Sequence, residues 1–277
     1  MRLFCLPHAG GTAGHFNRWN RWLPAGVTAV PVELPGRGTR QAEPLLDSWP
    51  PLVEDVARTV RARGGGAYAL AGHSLGAVLA FEVARALARD GDPPRLLLVA
   101  ARNGPYAGLS HRPIHGLGDA QLLDALRRLG GSPEAILGEP DLMRLFLPVL
   151  RVDLRLAETY ARLPGPPLSC PVAAYAGRRD RMTGPEAVLA WHRETTEAFD
   201  LTIVDAGHFL LDHPAFVAAV AARLARLGPP DAPAPASARS PGRGRSRTQP
   251  APVGAGGGGS GEGGYDRQIT GQKSGSE

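Results

Sequence analysis

Residues 68–87 read YALAGHSLGAVLAFEVARAL, and an apolar run here leads into Gly72-His73-Ser74-Leu75-Gly76 before a helical pattern begins. The five residues fit G-x-S-x-G, in which a serine occupies a sharp turn between a strand and a helix. Glycines suit the flanks of such a turn because residues without Cβ tolerate strained backbone and close contact. The motif predicts a nucleophilic Ser74 presented at the end of a strand.

Short apolar runs alternate with helical patterns on both sides of the motif. Strands are predicted at residues 2–6, 27–32, 67–71, 95–101, 171–176 and 201–204. Helices are predicted at residues 52–63, 75–90 and 215–227. This alternation is typical of an α/β fold, with a mostly parallel central sheet flanked by helices.

A long insert separates the fourth and fifth predicted strands. It contains helical patterns at residues 119–130 and 139–160 and shows no strand pattern. Long connections in compact domains tend to be functional. We therefore predict a helical lid over the active site, at about residues 112–163.

The composition changes sharply after Gly228. Residues 229–277 contain 12 glycines and 7 prolines in 49 residues, and their only large apolar side chains are Val253, Tyr265 and Ile269. Such a segment buries too little surface to offset the entropy cost of ordering. The sequence predicts a folded domain at residues 1–228 and a disordered tail at residues 229–277.

Charge and cysteine usage limit the function classes. The net charge of +5 is not concentrated in a dense basic stripe, so no nucleic-acid partner is predicted. Cys5 and Cys170 lie in apolar stretches without metal spacing, which favours two buried thiols in a reducing compartment. No secretory segment or membrane-length apolar run is present in the sequence. We expect a cytoplasmic monomer that does not bind membranes.

A serine hydroxyl needs an adjacent base, and that base needs an orienting acid. In α/β-hydrolases these groups follow the serine in the order acid, then histidine. His208 is the predicted base because it comes directly after the last strand, in the loop VDAGHFLLDHP. His213 is expected to begin the final helix instead. The other histidines after the serine are less well placed; they are His111, His115 and His192.

Asp180 is the predicted acid, since it follows the fifth strand in the turn-rich loop AGRRDRMTGPE. Asp205 is the alternative, but it lies only three residues before His208 and would have to fold back on its own loop. A second interpretation of Asp180 is a turn residue paired with one of its neighbouring arginines, which are Arg178, Arg179 and Arg181.

The oxyanion site of such a fold uses two backbone N–H groups. The first is predicted at Leu75, directly after the nucleophile. The second is predicted in the loop PHAGGTAG after the first strand, at Ala9, with Gly10 as the alternative. His8 precedes the serine in the chain, so we predict that it shapes this loop rather than acting as the base.

Several segments together resemble the type II thioesterases of polyketide and nonribosomal peptide assembly lines. They are LFCLPHAGGTAGHFNRW, VPVELPGRGTRQAEP, GHSLGAVLAFEVARAL, LRRLGGSPEAIL, LPVLRVDLRLAETY and GHFLL. The resemblance implies an α/β-hydrolase core under a flexible lid, with Ser74, Asp180 and His208 as the catalytic residues. It further implies hydrolysis of acyl thioesters on the phosphopantetheine arm of carrier proteins, which are the expected partners.

The end of the fourth predicted strand refines this expectation. The fourth strand ends in ARNGP without a carboxylate, whereas the thioesterase domains fused to synthases commonly carry their acid there, so the resemblance favours the type II enzymes. No metal or organic cofactor is expected. Two alternatives use the same three catalytic residues, namely a hydrolase of small esters and an acyltransferase. A third alternative is a catalytically idle module that docks on a synthase through the hydrolase surface.

Overall fold

The computed structural model describes residues 1–129 and 140–228. Six parallel strands form one sheet in the order β2-β1-β3-β4-β5-β6. The strands are β1 (Arg2–Leu6), β2 (Thr28–Pro31), β3 (Tyr68–His73), β4 (Leu97–Ala100), β5 (Val172–Gly177) and β6 (Phe199–Val204). All six strands overlap the predicted positions, and the parallel sheet confirms the predicted fold class.

Helices follow the strands or form the insert. They are α1 (Trp49–Gly64), α2 (Leu75–Arg89), α3 (Asp119–Leu129), α4 (Pro140–Thr159), α5 (Pro185–Leu189) and α6 (Pro214–Ala225). Helix α1 begins earlier than predicted because Pro50 and Pro51 occupy its first turn, where a missing N–H removes no intrahelical bond. Strand β4 is shorter than predicted and ends before Ala101, whose φ is +50°.

Two hydrophobic layers cover the sheet because successive side chains of a strand point to opposite faces. On β1, Phe4 and Leu6 pack with helices α1 and α2. Leu3 and Cys5 face the other layer, which includes residues of α6.

Burial raises the pKa of the Cys5 thiol, and it raises the pKa of the Cys170 thiol to about 12. Cys5 and Cys170 are buried and free, as predicted.

The insert has a small core of its own. Leu122 and Leu126 of α3 pack with Leu150 and Leu154 of α4. Both predicted insert helices are therefore present, while residues 130–139 of the predicted lid lie outside the described residues. The tail predicted at residues 229–277 also lies outside them. In the described part of the chain, no helix combines the length and the apolar character needed to cross a bilayer.

Candidate active site

Ser74 occupies the turn between β3 and α2, with φ of +56° and ψ of −113°. A residue with a side chain rarely adopts positive φ, and such strain concentrates at functional sites. The Ser74 N–H donates to the carbonyl of Ala100 at 2.8 Å, which ties the turn to the end of β4. The strand-to-helix turn predicted from the motif is confirmed.

The two motif glycines are required by close backbone packing. A Cβ at Gly72 would lie 2.0 Å from the carbonyl oxygen of Gly76. A Cβ at Gly76 would lie 2.3 Å from the carbonyl oxygen of Leu6 and 2.5 Å from that of Pro7. Helix α2 therefore begins in direct backbone contact with the end of β1, and this contact places Ser74 beside the loop after β1.

Asp180 and His208 come together from two neighbouring loops. Asp180 follows β5, and His208 follows β6. The Nδ1 of His208 lies 2.9 Å from Oδ2 of Asp180, with only 4% and 0% of the two side chains exposed. With Nδ1–H donating to Asp180, Nε2 is left as the lone-pair nitrogen that a general base needs.

Further donors surround the Asp180 carboxylate. Its Oδ2 accepts from the hydroxyl of Thr183 at 2.6 Å, and its Oδ1 accepts from the N–H of Met182 at 2.8 Å. Burial alone would raise the pKa of Asp180. The hydrogen bonds and charge of His208, together with the bonds from Thr183 and Met182, outweigh burial and hold this pKa below its ordinary value.

The alternatives left open by the sequence have other roles. Asp205 forms an exposed ion pair with Arg179, and Arg181 donates to the carbonyl of Arg128. Within the described residues, none of the neighbouring arginines pairs with Asp180. His213 is the N-cap residue of α6, as expected.

A narrow cleft, partly open to solvent and with about 40 Å³ of space for water, adjoins Ser74 and His208. The insert supplies much of its apolar wall, through Leu126, Leu150, Leu154 and Ala157. Side chains of both insert helices therefore lie beside the serine, in the segment where the sequence predicts a lid.

The cleft also has a polar edge, formed in part by Arg102 and Glu158. Arg102 donates to the carbonyl of Ala157 at 2.7 Å, and burial lowers its pKa to about 10. Glu158 accepts from the N–H groups of Ile114 and His115 at 3.0 Å. These bonds attach the C-terminal turn of α4 to the strand end and to the chain that leads into α3.

The loop after β1 also borders the cleft. Ala9 lines the cleft beside Ser74. The Gly10 N–H donates to Oδ2 of Asp153 at 2.7 Å, so this alternative oxyanion donor is already engaged. The Leu75 N–H belongs to the first turn of α2, where N–H groups have no intrahelical acceptor. Ala9 and Leu75 thus remain the candidate pair.

Two neutral histidines support the loops around the serine. The Nδ1–H of His8 donates to the carbonyl of Ala9 at 3.0 Å, and burial, assisted by neighbouring positive charge, lowers the pKa of His8 to about 3. His73 is fully buried, and its Nε2–H donates to the carbonyl of His208 at 2.7 Å. Burial likewise lowers the pKa of His73 well below its ordinary value.

The sequence alone predicts no role for His73, for Thr183 or for the Asp153 carboxylate. His73 occupies a variable position of G-x-S-x-G, so the motif carried no signal for it. Thr183 could have been noticed as a hydroxyl three residues after Asp180 in a turn. Asp153 lies in LPVLRVD, a segment that carried the family resemblance without a role.

A parallel sheet with a serine on the turn after β3, and with Asp180 and His208 after β5 and β6, is the arrangement of an α/β-hydrolase. Residues 1–226 match the protein family described as the thioesterase domain. The chain therefore belongs to the thioesterase family, whose members hydrolyse thioesters.

Curated relatives agree with this assignment. Thioesterase PikA5 of Streptomyces venezuelae is 44% identical over 214 residues, which are 76% of this chain and 76% of that protein. Gramicidin S biosynthesis protein GrsT of Aneurinibacillus migulanus is 33% identical over 212 residues, which are 76% of this chain and 83% of that protein.

Solved structures are similar as well. The thioesterase RedJ, from the prodiginine biosynthetic pathway of Streptomyces coelicolor, has a TM-score of 0.74 and 40% identity, covering 81% of this chain and 84% of that one. The type II thioesterase BorB, from the borrelidin biosynthetic cluster, has a TM-score of 0.73 and 38% identity, covering 80% and 92%. The relatives thus include type II thioesterases, as the resemblance implied.

Proposed function

We propose that this chain hydrolyses acyl thioesters from the phosphopantetheine arms of carrier proteins, and so clears aberrant or stalled acyl units from a polyketide or nonribosomal peptide assembly line. The hydrogen-bonded pair of Asp180 and His208 beside Ser74, under a lid of helices, is the observation that supports it most strongly. The biosynthetic names of relatives such as GrsT and RedJ support the substrate class.

The first step forms an acyl-serine. His208 takes the proton of Ser74 through Nε2 as the hydroxyl oxygen attacks the thioester carbonyl. The N–H groups of Leu75 and Ala9 stabilise the oxyanion of the tetrahedral intermediate. The carbon–sulfur bond then breaks, and the pantetheine thiolate leaves with a proton supplied by the imidazolium.

The second step releases the acid. His208 deprotonates a water molecule, which attacks the acyl-serine ester and regenerates the hydroxyl of Ser74. Asp180 holds the imidazole in the required tautomer and stabilises the imidazolium. Protein groups and water supply every proton and nucleophile in this scheme, so we propose that no metal or organic cofactor takes part.

The proposal is tested by incubating a panel of acyl-phosphopantetheinyl carrier proteins with the wild type and Ser74→Ala, and following acyl-enzyme by intact-protein mass. We expect release of the acyl group by the wild type and neither release nor acyl-enzyme with Ser74→Ala. Ser169→Ala is the matched control, because Ser169 is exposed and outside the cleft. Unchanged turnover in Ser74→Ala would refute the nucleophile.

Product analysis separates the alternatives. Accumulation of acyl-Ser74 that is discharged only by an added alcohol or amine would indicate an acyltransferase. Faster turnover of small oxygen esters than of acyl-carrier protein would indicate an ester hydrolase. Failure of a fluorophosphonate to label Ser74 would indicate an idle docking module. We further propose that the enzyme is a cytoplasmic monomer.

A further inference from the structure

A buried carboxylate connects the lid to the loop after β1. Oδ2 of Asp153, on lid helix α4, accepts from the Gly10 N–H at 2.7 Å and from Arg37. Its Oδ1 accepts a second bond from the Arg37 guanidinium at 2.8 Å. Asp153 is 1% exposed, and Arg37 is 7% exposed. Three segments distant in the sequence therefore meet at one carboxylate.

The same face of α4 packs directly on Gly10. Phe146, Leu150 and Asp153 are spaced by four and three residues, so they project from one side of the helix. A Cβ at Gly10 would lie 2.5 Å from ring carbons of Phe146 and 3.3 Å from Leu150 Cδ1. Gly10 also has φ of +72°, which other residues rarely adopt. The loop is shaped to receive the lid helix.

The peptide unit between Ala9 and Gly10 is held at both ends. Its carbonyl accepts from the His8 ring at 3.0 Å, and its N–H donates to Asp153. Because a peptide unit is planar, two such bonds fix its orientation. The adjoining N–H of Ala9, the candidate oxyanion donor, is then restricted in the direction it can take.

The buried ion pair between Asp153 and Arg37 is not explained by a gain in stability. Buried ion pairs contribute little net stability compared with apolar residues of similar size. Among the described residues, Nε of Arg37 is buried without a hydrogen-bond partner, which adds a further cost. A role in orientation explains the arrangement better, since the planar guanidinium holds both carboxylate oxygens at once.

We propose that Asp153 is a positioning residue, which orients the Ala9 N–H toward the oxyanion through its bond to Gly10. Arg37 in turn fixes Asp153. The oxyanion site is then completed by a residue of the lid helix. This inference rests on the proposed function, because it needs an oxyanion to stabilise.

The test is steady-state kinetics of Asp153→Asn on an acyl-pantetheine thioester, which excludes effects of carrier-protein docking. Asparagine keeps the shape but turns an NH2 group toward either Gly10 or Arg37. We expect kcat to fall about 10- to 100-fold, with KM nearly unchanged. A loss of this size is what displacement or removal of an oxyanion donor causes. Inhibition by a thioether trifluoromethyl ketone, whose adduct carries an oxyanion, should weaken by a similar factor.

Glu194→Gln is the matched control. Glu194 is fully buried and accepts from Nε of Arg162 at 2.8 Å and 2.9 Å, but it does not line the cleft. Glu194→Gln should lower the melting temperature, while its kcat per active site should stay at the wild-type value. The active sites are counted by titration with a fluorophosphonate. The same pattern in Asp153→Asn would overturn the inference and leave the proposed function intact.

A second variant applies if Asp153→Asn does not fold. Arg37→Lys keeps the positive charge but replaces the two-pronged donor with a single point, so Asp153 is less firmly oriented. We expect a several-fold loss of kcat with unchanged KM. Wild-type kcat in folded Arg37→Lys would overturn the inference. If the wild type itself hydrolysed no thioester, this result would instead count against the proposed function.

Discussion

His208 Nδ1 lies 2.9 Å from Asp180 Oδ2, although the two residues are 28 positions apart and follow different strands. The pair is enclosed by protein, so water does not compete for the carboxylate. The orientation of the imidazole therefore depends on what else holds Asp180. The Thr183 hydroxyl, 2.6 Å from the same Oδ2 atom, is the shortest of these contacts.

Replacing Thr183 with valine should weaken catalysis without removing any of the three proposed catalytic residues. A hydrogen bond to a charged group contributes about 1.5 to 3 kcal/mol, and loss of the smaller amount corresponds to about a tenfold effect. We expect kcat/KM to fall about tenfold as Asp180 holds the imidazole less firmly. Thioester hydrolysis measured across pH gives both the size of this loss and its dependence on pH.

The pH profile of Thr183→Val has a defined sign. The Thr183 bond favours the ionised Asp180, so its removal should raise the pKa of this carboxyl. Because the folded pKa lies below the ordinary value of 3.8, the stabilisation is present above that pH and is lost on further acidification. In the variant the contribution of Asp180 to stability should be smaller, and protonation of Asp180, with the loss of hydrolysis that it causes, should occur at higher pH. Thr195→Val is the control, because it removes a 2.7 Å hydrogen bond from the Thr195 hydroxyl to the Cys170 carbonyl, away from the cleft. This variant should leave the pH profile of hydrolysis unchanged.

His73 and His8 should make the fold sensitive to mild acid. Burial keeps both neutral in the folded protein, while the unfolded chain takes up protons below about pH 6.5. Stability should therefore fall as pH drops through 6.5, by about 1.4 kcal/mol per unit for each histidine that stays neutral. Urea unfolding at pH 7.5, 6.5 and 5.5 measures this slope.

His73→Gln should reduce the slope by the contribution of one histidine, because Gln carries a donor near the position of Nε2 but does not titrate. His192→Gln alters an exposed histidine and serves as the control. An equal loss of stability on acidification in His73→Gln and the wild type would show that His73 is not the responsible group.

The positions of Ser74, Asp180 and His208 could be predicted because each follows the end of a strand. Parallel strands end at one edge of the sheet, so residues just beyond them converge whatever their separation in the chain. The strand pattern and the order of residue types were enough to select all three.

The contact of Asp153 with Gly10 and Arg37 could not be predicted in the same way. Its partners are 143 and 116 positions away, on a loop and in a turn without periodicity. In the sequence, Asp153 is one acidic residue among the charged side chains of an amphipathic helix, where a solvent-exposed position is the usual expectation. Only the packing of the insert against the loop after β1 shows that it is buried.

Gly76→Ala should destabilise the protein although it replaces glycine within a helix. In an ordinary helix this change is favourable by about 1 kcal/mol, since alanine has the higher helix propensity. Here the new Cβ would lie 2.3 Å from the carbonyl oxygen of Leu6, a backbone atom that cannot move aside as a side chain can. We expect a net loss of about 3 kcal/mol or more in the free energy of unfolding, measured by urea titration.

The same clash should affect catalysis before it unfolds the protein. Leu6 and Pro7 lead directly into the loop that carries Ala9, so displacing them moves the candidate oxyanion donor relative to Ser74. The surviving folded fraction should therefore show a reduced kcat on an acyl-pantetheine thioester. Gly116→Ala is the control, because no atom lies within 4 Å of its added Cβ and its backbone needs no positive φ. If Gly76→Ala were as stable as Gly116→Ala, the close contact between α2 and β1 would be wrong, and with it the geometry that places Ser74.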